Sequence, residues 1–171
     1  MRFVMQILPD SNFRLVILLA AICALLPLTS RAEPAEANSA AASIVVHKSP
    51  FCLCCKEWIK HLEQNAFSVT SENTLDTAKI KQAKGVPASL QGCHTGVSQG
   101  QYVFEGHVPA RLIRKFLANP PKNSIGLAVP GMPQGSPGMY RGKKFEPYNV
   151  FLILTGGDYR LYETVNQPED Q

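Results

Sequence analysis

The stretch that decides the fold runs from residue 43 to residue 55 and reads Ser-Ile-Val-Val-His-Lys-Ser-Pro-Phe-Cys-Leu-Cys-Cys. Its first part, Ser43–His47, is a short β-branched run and predicts a buried strand. Ser49 and Pro50 predict a helix start, because serine caps helices and proline fits their first turn. Apolar residues at helical spacing, Trp58 among them as a core residue, continue this helix. A strand that runs directly into a helix begins a β-α-β unit, and three cysteines stand at its junction.

The rest of the chain supplies the second half of an α/β domain. A second helix is predicted between Asn73 and Gly85, and a third begins at Pro109. A Gly/Pro-rich loop over 126–142 then leads to a final hairpin. This order predicts a thioredoxin-like α/β fold, with a central mixed β-sheet, flanking helices and an added C-terminal hairpin. The strands are predicted at 43–47, 67–70, 93–97, 102–107, 150–154 and 159–163.

The N-terminus has the three parts of an export signal. Arginines precede an apolar run from Leu15 to Leu28, and Ser30-Arg31-Ala32 offers small residues where an export peptidase reads. The run is about 14 residues long, short of the roughly 20 that span a bilayer. We therefore predict cleavage near Ala32, rather than a retained anchor, and a periplasmic location without stable membrane insertion. The predicted organisation is a signal peptide at 1–32, a flexible leader at 33–42, a domain at 43–165 and a polar tail at 166–171.

The charge of the chain argues against a nucleic-acid partner. Without residues 1–32 it holds 14 basic and 12 acidic residues, a net charge of +2. No basic stripe accompanies this small excess. Lys79, Lys81 and Lys84 are predicted to line one solvated helix face.

Four of the five cysteines lie outside the signal segment, and three of these fall within four residues, at Cys52, Cys54 and Cys55. Disulfides that link distant parts of a fold do not need that spacing, so the cluster predicts chemistry. A helix N-terminus favours thiolate, which is both a nucleophile and a metal ligand. Cys52 and Cys55 keep the Cys-x-x-Cys spacing of redox enzymes, but a third thiol would compete for their disulfide. Clustered thiolates suit a soft metal, for which Cu(I), zinc and iron–sulfur centres are alternatives.

The predicted topology recruits further ligands from other segments. Cys93 and His94 begin the third strand and His107 ends the fourth, so all three should return to the sheet edge where the cluster lies. His47 is the weakest candidate. The alternatives are a disulfide from Cys93 to a cluster cysteine, a surface position for His94 and a helix-capping role for His107. His61, on the first helix, is predicted to face solvent.

The Gly/Pro-rich loop holds the two remaining methionines, Met132 and Met139. A loop of this composition runs over the surface, where methionine is not an ordinary core residue. Thioethers bind Cu(I) and persist under oxidising conditions. We therefore predict that both are ligands or handle copper, the alternative being that one fills a gap over the core.

Four motifs in this order resemble the CopG-like family of small periplasmic metal-binding proteins associated with copper resistance. They are His47-Lys48-Ser49-Pro50 leading to Cys52-x-Cys54-Cys55, Val86-Pro87 with Cys93-His94-Thr95, Glu105-Gly106-His107-Val108-Pro109-Ala110, and Gly131-Met132-Pro133 to Gly135-Ser136-Pro137-Gly138-Met139. The resemblance covers residues 44–163. It implies a thioredoxin-like fold and copper held by the Cys-x-Cys-Cys thiolates together with Cys93, in a site that can hold several ions.

Three functional hypotheses follow from these residues. The first is a periplasmic protein that binds Cu(I) for copper tolerance, with copper ions and other periplasmic copper-handling proteins as its partners. The second is a thiol–disulfide oxidoreductase in which Cys52 attacks and Cys55 resolves. Against it stand the third cysteine and the placing of Gly92-Cys93 where such enzymes carry a cis-proline. The third is a structural zinc module, since four cysteines suit tetrahedral zinc.

Overall fold

A computed structural model describes residues 42–98 and 101–171 of the 171-residue chain. The predicted signal peptide, and the predicted leader up to residue 41, lie outside the described residues. Three α-helices are described: α1 is Leu53–Gln64, α2 is Thr77–Ala83 and α3 is Ala110–Ala118. The described strands are β1 Ser43–Lys48, β2 Ser68–Asn73, β3 His94–Ser98, β4 Tyr102–Gly106, β5 Ser124–Val129, β6 Tyr148–Leu154 and β7 Tyr159–Val165.

The strands form one mixed sheet in the order β2-β1-β3-β4-β5-β6-β7. β1 pairs with β2 and β4 with β5 in parallel, while the other neighbours are antiparallel. Each parallel pair needs a crossover connection, and these connections carry α1 and α3. The predicted mixed α/β architecture is confirmed, and β6 with β7 forms the C-terminal hairpin.

β5 was not predicted, because its sequence was assigned to the Gly/Pro-rich loop. Its two faces pack into different apolar clusters, Leu127 and Val129 in one and Ala128 in the other, and a strand buried on both faces is a continuous apolar run without alternation. Gly126 is required within it, since a Cβ there would lie 1.8 Å from the carbonyl oxygen of Val103. The sheet therefore has one more central strand than the sequence pattern indicated.

The core places Trp58 of α1 at the centre, as predicted, with no exposed surface. Its indole N–H donates a hydrogen bond of 2.8 Å to the carbonyl of Val108. Its ring packs on the imidazole of His94, with centroids 4.3 Å apart. The core is thus continuous with the edge of the sheet that holds the cysteines.

Two predicted helix starts and one predicted surface were wrong. α1 is capped by Cys52, three residues after Ser49, and α2 is capped by Asp76 and not by Asn73. Lys81 is 3% exposed, although it was predicted on a solvated face. Ionisable side chains are rarely buried without a partner, so a partner for Lys81 lies inside the protein.

The C-terminal segment after β7 contains a 3₁₀ turn, Pro168–Asp170. The carbonyl of Asp170 accepts hydrogen bonds from Arg111 on α3. The polar tail therefore contacts the domain.

Candidate metal centre

The three clustered cysteines lie at the N-terminus of α1. Cys52 is the N-cap, and its sulfur accepts a hydrogen bond from the backbone N–H of Cys55 at 3.3 Å. A disulfide joins Cys52 and Cys55, while Cys54 is a free thiol. The Sγ of Cys54 lies 3.5 Å from that of Cys52. Backbone amides and sulfurs thus share the same helix end, where negative charge on sulfur is stabilised.

Cys93 joins this group from a different part of the chain. Lys48 at the end of β1 pairs with His94 at the start of β3, so the antiparallel register brings the residue before β3 to the junction of β1 and α1. The Sγ of Cys93 lies 3.5 Å from that of Cys55 and 4.0 Å from that of Cys54. All four sulfur atoms lie within 4.8 Å of one another. Cys93 is free, so the alternative of a disulfide from Cys93 to the cluster is not the pairing found.

Two buried histidines also contact the sulfur of Cys93. His94 Nδ1 lies 3.2 Å and His107 Nε2 3.5 Å from the Cys93 sulfur. The sulfur and one nitrogen from each imidazole form a second group of atoms within 4.8 Å of one another. Neither histidine has exposed surface, so His94 is not a surface hairpin residue. Cys93 therefore belongs to both a sulfur-only group and a sulfur–imidazole group.

The ring nitrogens of the two histidines differ in their hydrogen bonds. His107 Nδ1 lies 2.7 Å from the carbonyl oxygen of Pro137, to which it donates. This leaves the lone pair on Nε2 directed at Cys93, the arrangement by which proteins orient an imidazole ligand. His94 Nε2 is buried and reaches no hydrogen-bond partner among the described residues.

Burial sets the protonation of this site. Burial raises the pKa of the Cys93 thiol to about 12, and the neighbouring Cys54 adds to the shift. Burial lowers the pKa of His94 and that of His107, so both imidazoles are neutral at neutral pH. The histidines are therefore ready to donate lone pairs, whereas Cys93 must release a proton to act as a thiolate ligand.

The Gly/Pro-rich loop is held against the site by its backbone. A Cβ on Gly138 would lie 2.9 Å from the backbone nitrogen of Trp58 and 3.0 Å from the carbonyl oxygen of Cys54. The loop therefore packs on the first turn of α1. Met132 is 54% exposed and Met139 is half-buried. The loop contacts the site through Pro137 and Gly138, and the ligand role of the two methionines stays a prediction.

Two other histidines lie elsewhere. His47 Nδ1 pairs with the Glu72 carboxylate at 3.2 Å, and His47 is in neither ligand group. His61 does not simply face solvent: its Nε2 accepts the backbone N–H of Ala110 at 3.0 Å. His61 therefore provides the N-terminal hydrogen bond of α3 that was considered for His107.

A buried polar network behind Cys93 was missed from the sequence. The Lys81 ammonium contacts Glu105 Oε1 at 2.5 Å and Thr95 Oγ1 at 3.0 Å, and Thr95 donates to Glu105 Oε2 at 2.6 Å. Glu105 Oε1 also accepts the backbone N–H of Gly92 at 2.7 Å. The sequence grouped Lys81 with Lys79 and Lys84 on one solvated helix face, so its buried position was not predicted. The pairing of Thr95 with Glu105 in the register of β3 and β4 is what brings the polar side chains of the network together.

Fold and site together define a mixed α/β protein with a cysteine-rich group of side chains that could hold a metal ion. Within the described part of the chain, no helix is long and apolar enough to cross a membrane.

The comparisons with known proteins agree with this class. A protein family of unknown function, DUF411, matches residues 90–139. Two solved structures are similar over most of the chain, "Copper resistance protein copG- Form 2" and "Form 1". Both are 42% identical in sequence. They cover 74% and 73% of this chain and 99% and 98% of theirs, with TM-scores of 0.69 and 0.68. No curated protein matches.

The chain belongs to the CopG family. The resemblance drawn from the four sequence motifs is thereby confirmed.

Proposed function

We propose that this protein is an exported, periplasmic protein that binds Cu(I) through the thiolates of Cys52, Cys54, Cys55 and Cys93. It serves copper tolerance by sequestering copper, transferring it or converting its oxidation state. The observation that carries the proposal is the gathering of four sulfur atoms within 4.8 Å from two separate chain segments. Clustered thiolates select soft ions such as Cu(I). The related structures are named as copper resistance proteins, which favours copper over zinc.

The topology supports a thioredoxin-like domain for this function. In that arrangement a β-α-β half and a β-β-α half share one sheet, and the active site lies where the first strand meets the first helix. The strand order β2-β1-β3-β4 and the helices α1 and α3 agree with it. β5, β6 and β7 then extend the sheet beyond the thioredoxin-like part.

Full use of the four sulfurs requires the reduced protein. An external dithiol reductant must open the Cys52–Cys55 disulfide by thiol–disulfide exchange, which leaves the reductant oxidised and gives two thiols here. Their protons pass to solvent when the thiolates bind the metal. In this proposal His94 and His107 complete the shell on the side of Cys93, and Met132 and Met139 of the loop deliver or receive copper.

A second candidate function is favoured by one observation. The Cys52–Cys55 disulfide at the N-terminus of α1 is the arrangement of a thiol–disulfide oxidoreductase. In such an enzyme, Cys52 attacks the substrate disulfide and Cys55 resolves the mixed disulfide. Cys54 and Cys93, both within 4.0 Å of a disulfide sulfur, would compete for that intermediate.

Metal content and thiol count test the proposal directly. The mature protein, expressed in the periplasm with copper and zinc both supplied and then reduced anaerobically, is expected to retain copper on elemental analysis. Cys54→Ser is expected to lower the copper stoichiometry sharply without loss of the fold, because Cys54 is not part of the disulfide. Full copper retention by this variant contradicts the ligand assignment, and fast insulin reduction by metal-free protein favours the enzyme.

A further inference from the structure

The carboxylate of Glu105 is the centre of a buried network that the proposed copper site does not itself use. Glu105 has no exposed surface and accepts hydrogen bonds from three groups: the ammonium of Lys81, the hydroxyl of Thr95 and the backbone N–H of Gly92. Each oxygen of the carboxylate is engaged. The network therefore ties α2, the segment before β3 and the end of β4 to one another.

Residues of the network flank, in the chain, the residues that face the candidate metal site. Gly92 and Thr95 lie on either side of Cys93 and His94 in the chain, and Glu105 lies two positions before His107. A Cβ on Gly92 would lie 3.0 Å from the Cα of Gly106, so a glycine at this point lets the two backbones approach closely. One carboxylate thus fixes the chain on both sides of Cys93 and on β4, the strand that His107 directly follows.

Stability alone does not account for such an ion pair. A buried pair can often be replaced by apolar side chains without loss of stability, because desolvation offsets its attraction. Orientation of a metal ligand by its hydrogen-bonded neighbours is a different effect, and its loss lowers metal affinity about 10–100-fold.

We propose that Glu105, held by Lys81 and Thr95, is a positioning residue that places the Cys93 thiol against His94, His107 and the sulfurs of α1. The carboxylate does so by anchoring the N–H of Gly92. This inference deepens the proposed copper-binding function and rests on it.

The test compares two uncharged versions of the network. Lys81→Met/Glu105→Gln removes both charges and keeps an acceptor for Gly92, whereas Lys81→Met/Glu105→Leu removes the acceptor as well. Cu(I) affinity is measured by chelator competition, and thiolate–copper charge-transfer absorption is recorded. The glutamine variant is expected to bind within about threefold of wild type, and the leucine variant about 10–100-fold more weakly with an altered spectrum. Equal affinities of the two variants, whether high or low, would overturn the proposal.

A metal-free readout keeps this test separate from the proposed function. In a background with Cys52, Cys54 and Cys55 changed to serine, Cys93 is the single thiol of the mature chain. Its alkylation is expected to be several-fold faster with Glu105→Leu than with Glu105→Gln, both carrying Lys81→Met, since loss of the anchor frees the segment. Equal rates overturn the positioning role whether or not the protein binds copper, whereas failure of the wild type to bind Cu(I) overturns only the proposed function. The control is the pair variant Lys115→Met/Glu163→Gln, whose half-exposed ion pair joins α3 to β7 and contacts no residue of the network; it should change neither readout.

Discussion

His107 and Pro137 are joined by a hydrogen bond of 2.7 Å between the imidazole Nδ1 and a backbone carbonyl. The two residues are 30 positions apart in the chain, one directly after β4 and the other in the Gly/Pro-rich loop. This bond settles which nitrogen of His107 carries the proton and turns the other nitrogen towards Cys93. The loop therefore contributes to the candidate metal centre through its backbone, independently of its methionines.

Gly138→Ala should displace the loop from α1. The residue has a φ of +86°, and its new Cβ would meet the backbone of Trp58 and Cys54 at 2.9–3.0 Å. We expect a loss of about 2–4 kcal/mol in the free energy of unfolding, from backbone strain and overpacking together. Cu(I) affinity should fall as well, because the Pro137 contact is lost. The matched control is Gly142→Ala, which has a φ of +73° and open space, and should lose only about 1–2 kcal/mol. Equal losses for the two variants in urea titrations would contradict this packing.

Substitutions of His107 can separate the roles of its two ring nitrogens. Asparagine places its amide near the position of Nδ1 and can keep the hydrogen bond to Pro137, whereas glutamine reaches towards the position of Nε2. Because neither amide replaces a neutral imidazole as a copper ligand, both variants should bind Cu(I) more weakly, by about 10-fold or more. His107→Asn should nevertheless be the more thermally stable of the two. Wild-type affinity in both variants would remove His107 from the ligand set.

Copper binding should become tighter as pH rises. The Cys93 pKa is raised to about 12, so at neutral pH the metal must displace a proton from this thiol. The neutral histidines release none. Each displaced proton adds about one log unit of apparent affinity per pH unit. Chelator competition between about pH 6.5 and 8.5 should therefore give a slope that is smaller by about one in Cys93→Ser. An unchanged slope in that variant would show that Cys93 is not a thiolate ligand.

Substitution of Met132 and Met139 tests the loop as a route for copper. Met132→Leu with Met139→Leu keeps the apolar volume and removes both thioethers. We expect Cu(I) transfer to or from a competing chelator to slow by a modest factor, about 2–10-fold, while stoichiometry is unchanged. The single variants separate the exposed Met132 from the half-buried Met139. Identical exchange kinetics in stopped-flow measurements on the double variant would leave the loop with its backbone role alone.

Acid should weaken the fold through His61. Burial lowers the pKa of His61 from 6.5 to about 4, and its Nε2 accepts the N–H of Ala110. The unfolded chain binds this proton more readily, so stability is fully present above about pH 6.5 and falls as pH drops towards 4, by about 3 kcal/mol at most. His61→Gln should flatten the dependence of the unfolding free energy on pH in this window. An equally steep dependence in the variant would assign the effect to other groups.

The sequence predicts the β1–α1 junction well because periodicity and turn chemistry agree there. Strand β1 and the helix that follows are both found, and the antiparallel pairing of β1 with β3 brings Cys93 to the cluster. The helix start is three residues late, because the sulfur of Cys52 supplies the capping acceptor that was expected from Ser49. Thiols are seldom considered as helix caps, and the sequence pattern carries no signal for this one.

Other features depend on tertiary contacts that a single sequence does not display. β5 has no alternation, because both of its faces are buried. Lys81 was grouped with Lys79 and Lys84 on one predicted helix face, and its burial follows from its contact with Glu105 on β4. The role of Pro137 is carried by a backbone carbonyl, which every residue has. Motifs therefore located the candidate ligands, while the groups that orient them required the fold.

The disulfide between Cys52 and Cys55 makes the order of events at the site matter. While that bond is closed, half of the sulfurs are unavailable as thiolates, although Cys93 with His94 and His107 stays intact. Under the proposed function, an ion that arrives first shields the sulfurs from oxidants, whereas an oxidant that arrives first leaves a smaller, nitrogen-rich site. The capacity for copper then depends on the supply of reducing equivalents outside the cytoplasm. It also depends on whether copper or an oxidant reaches the N-terminus of α1 first.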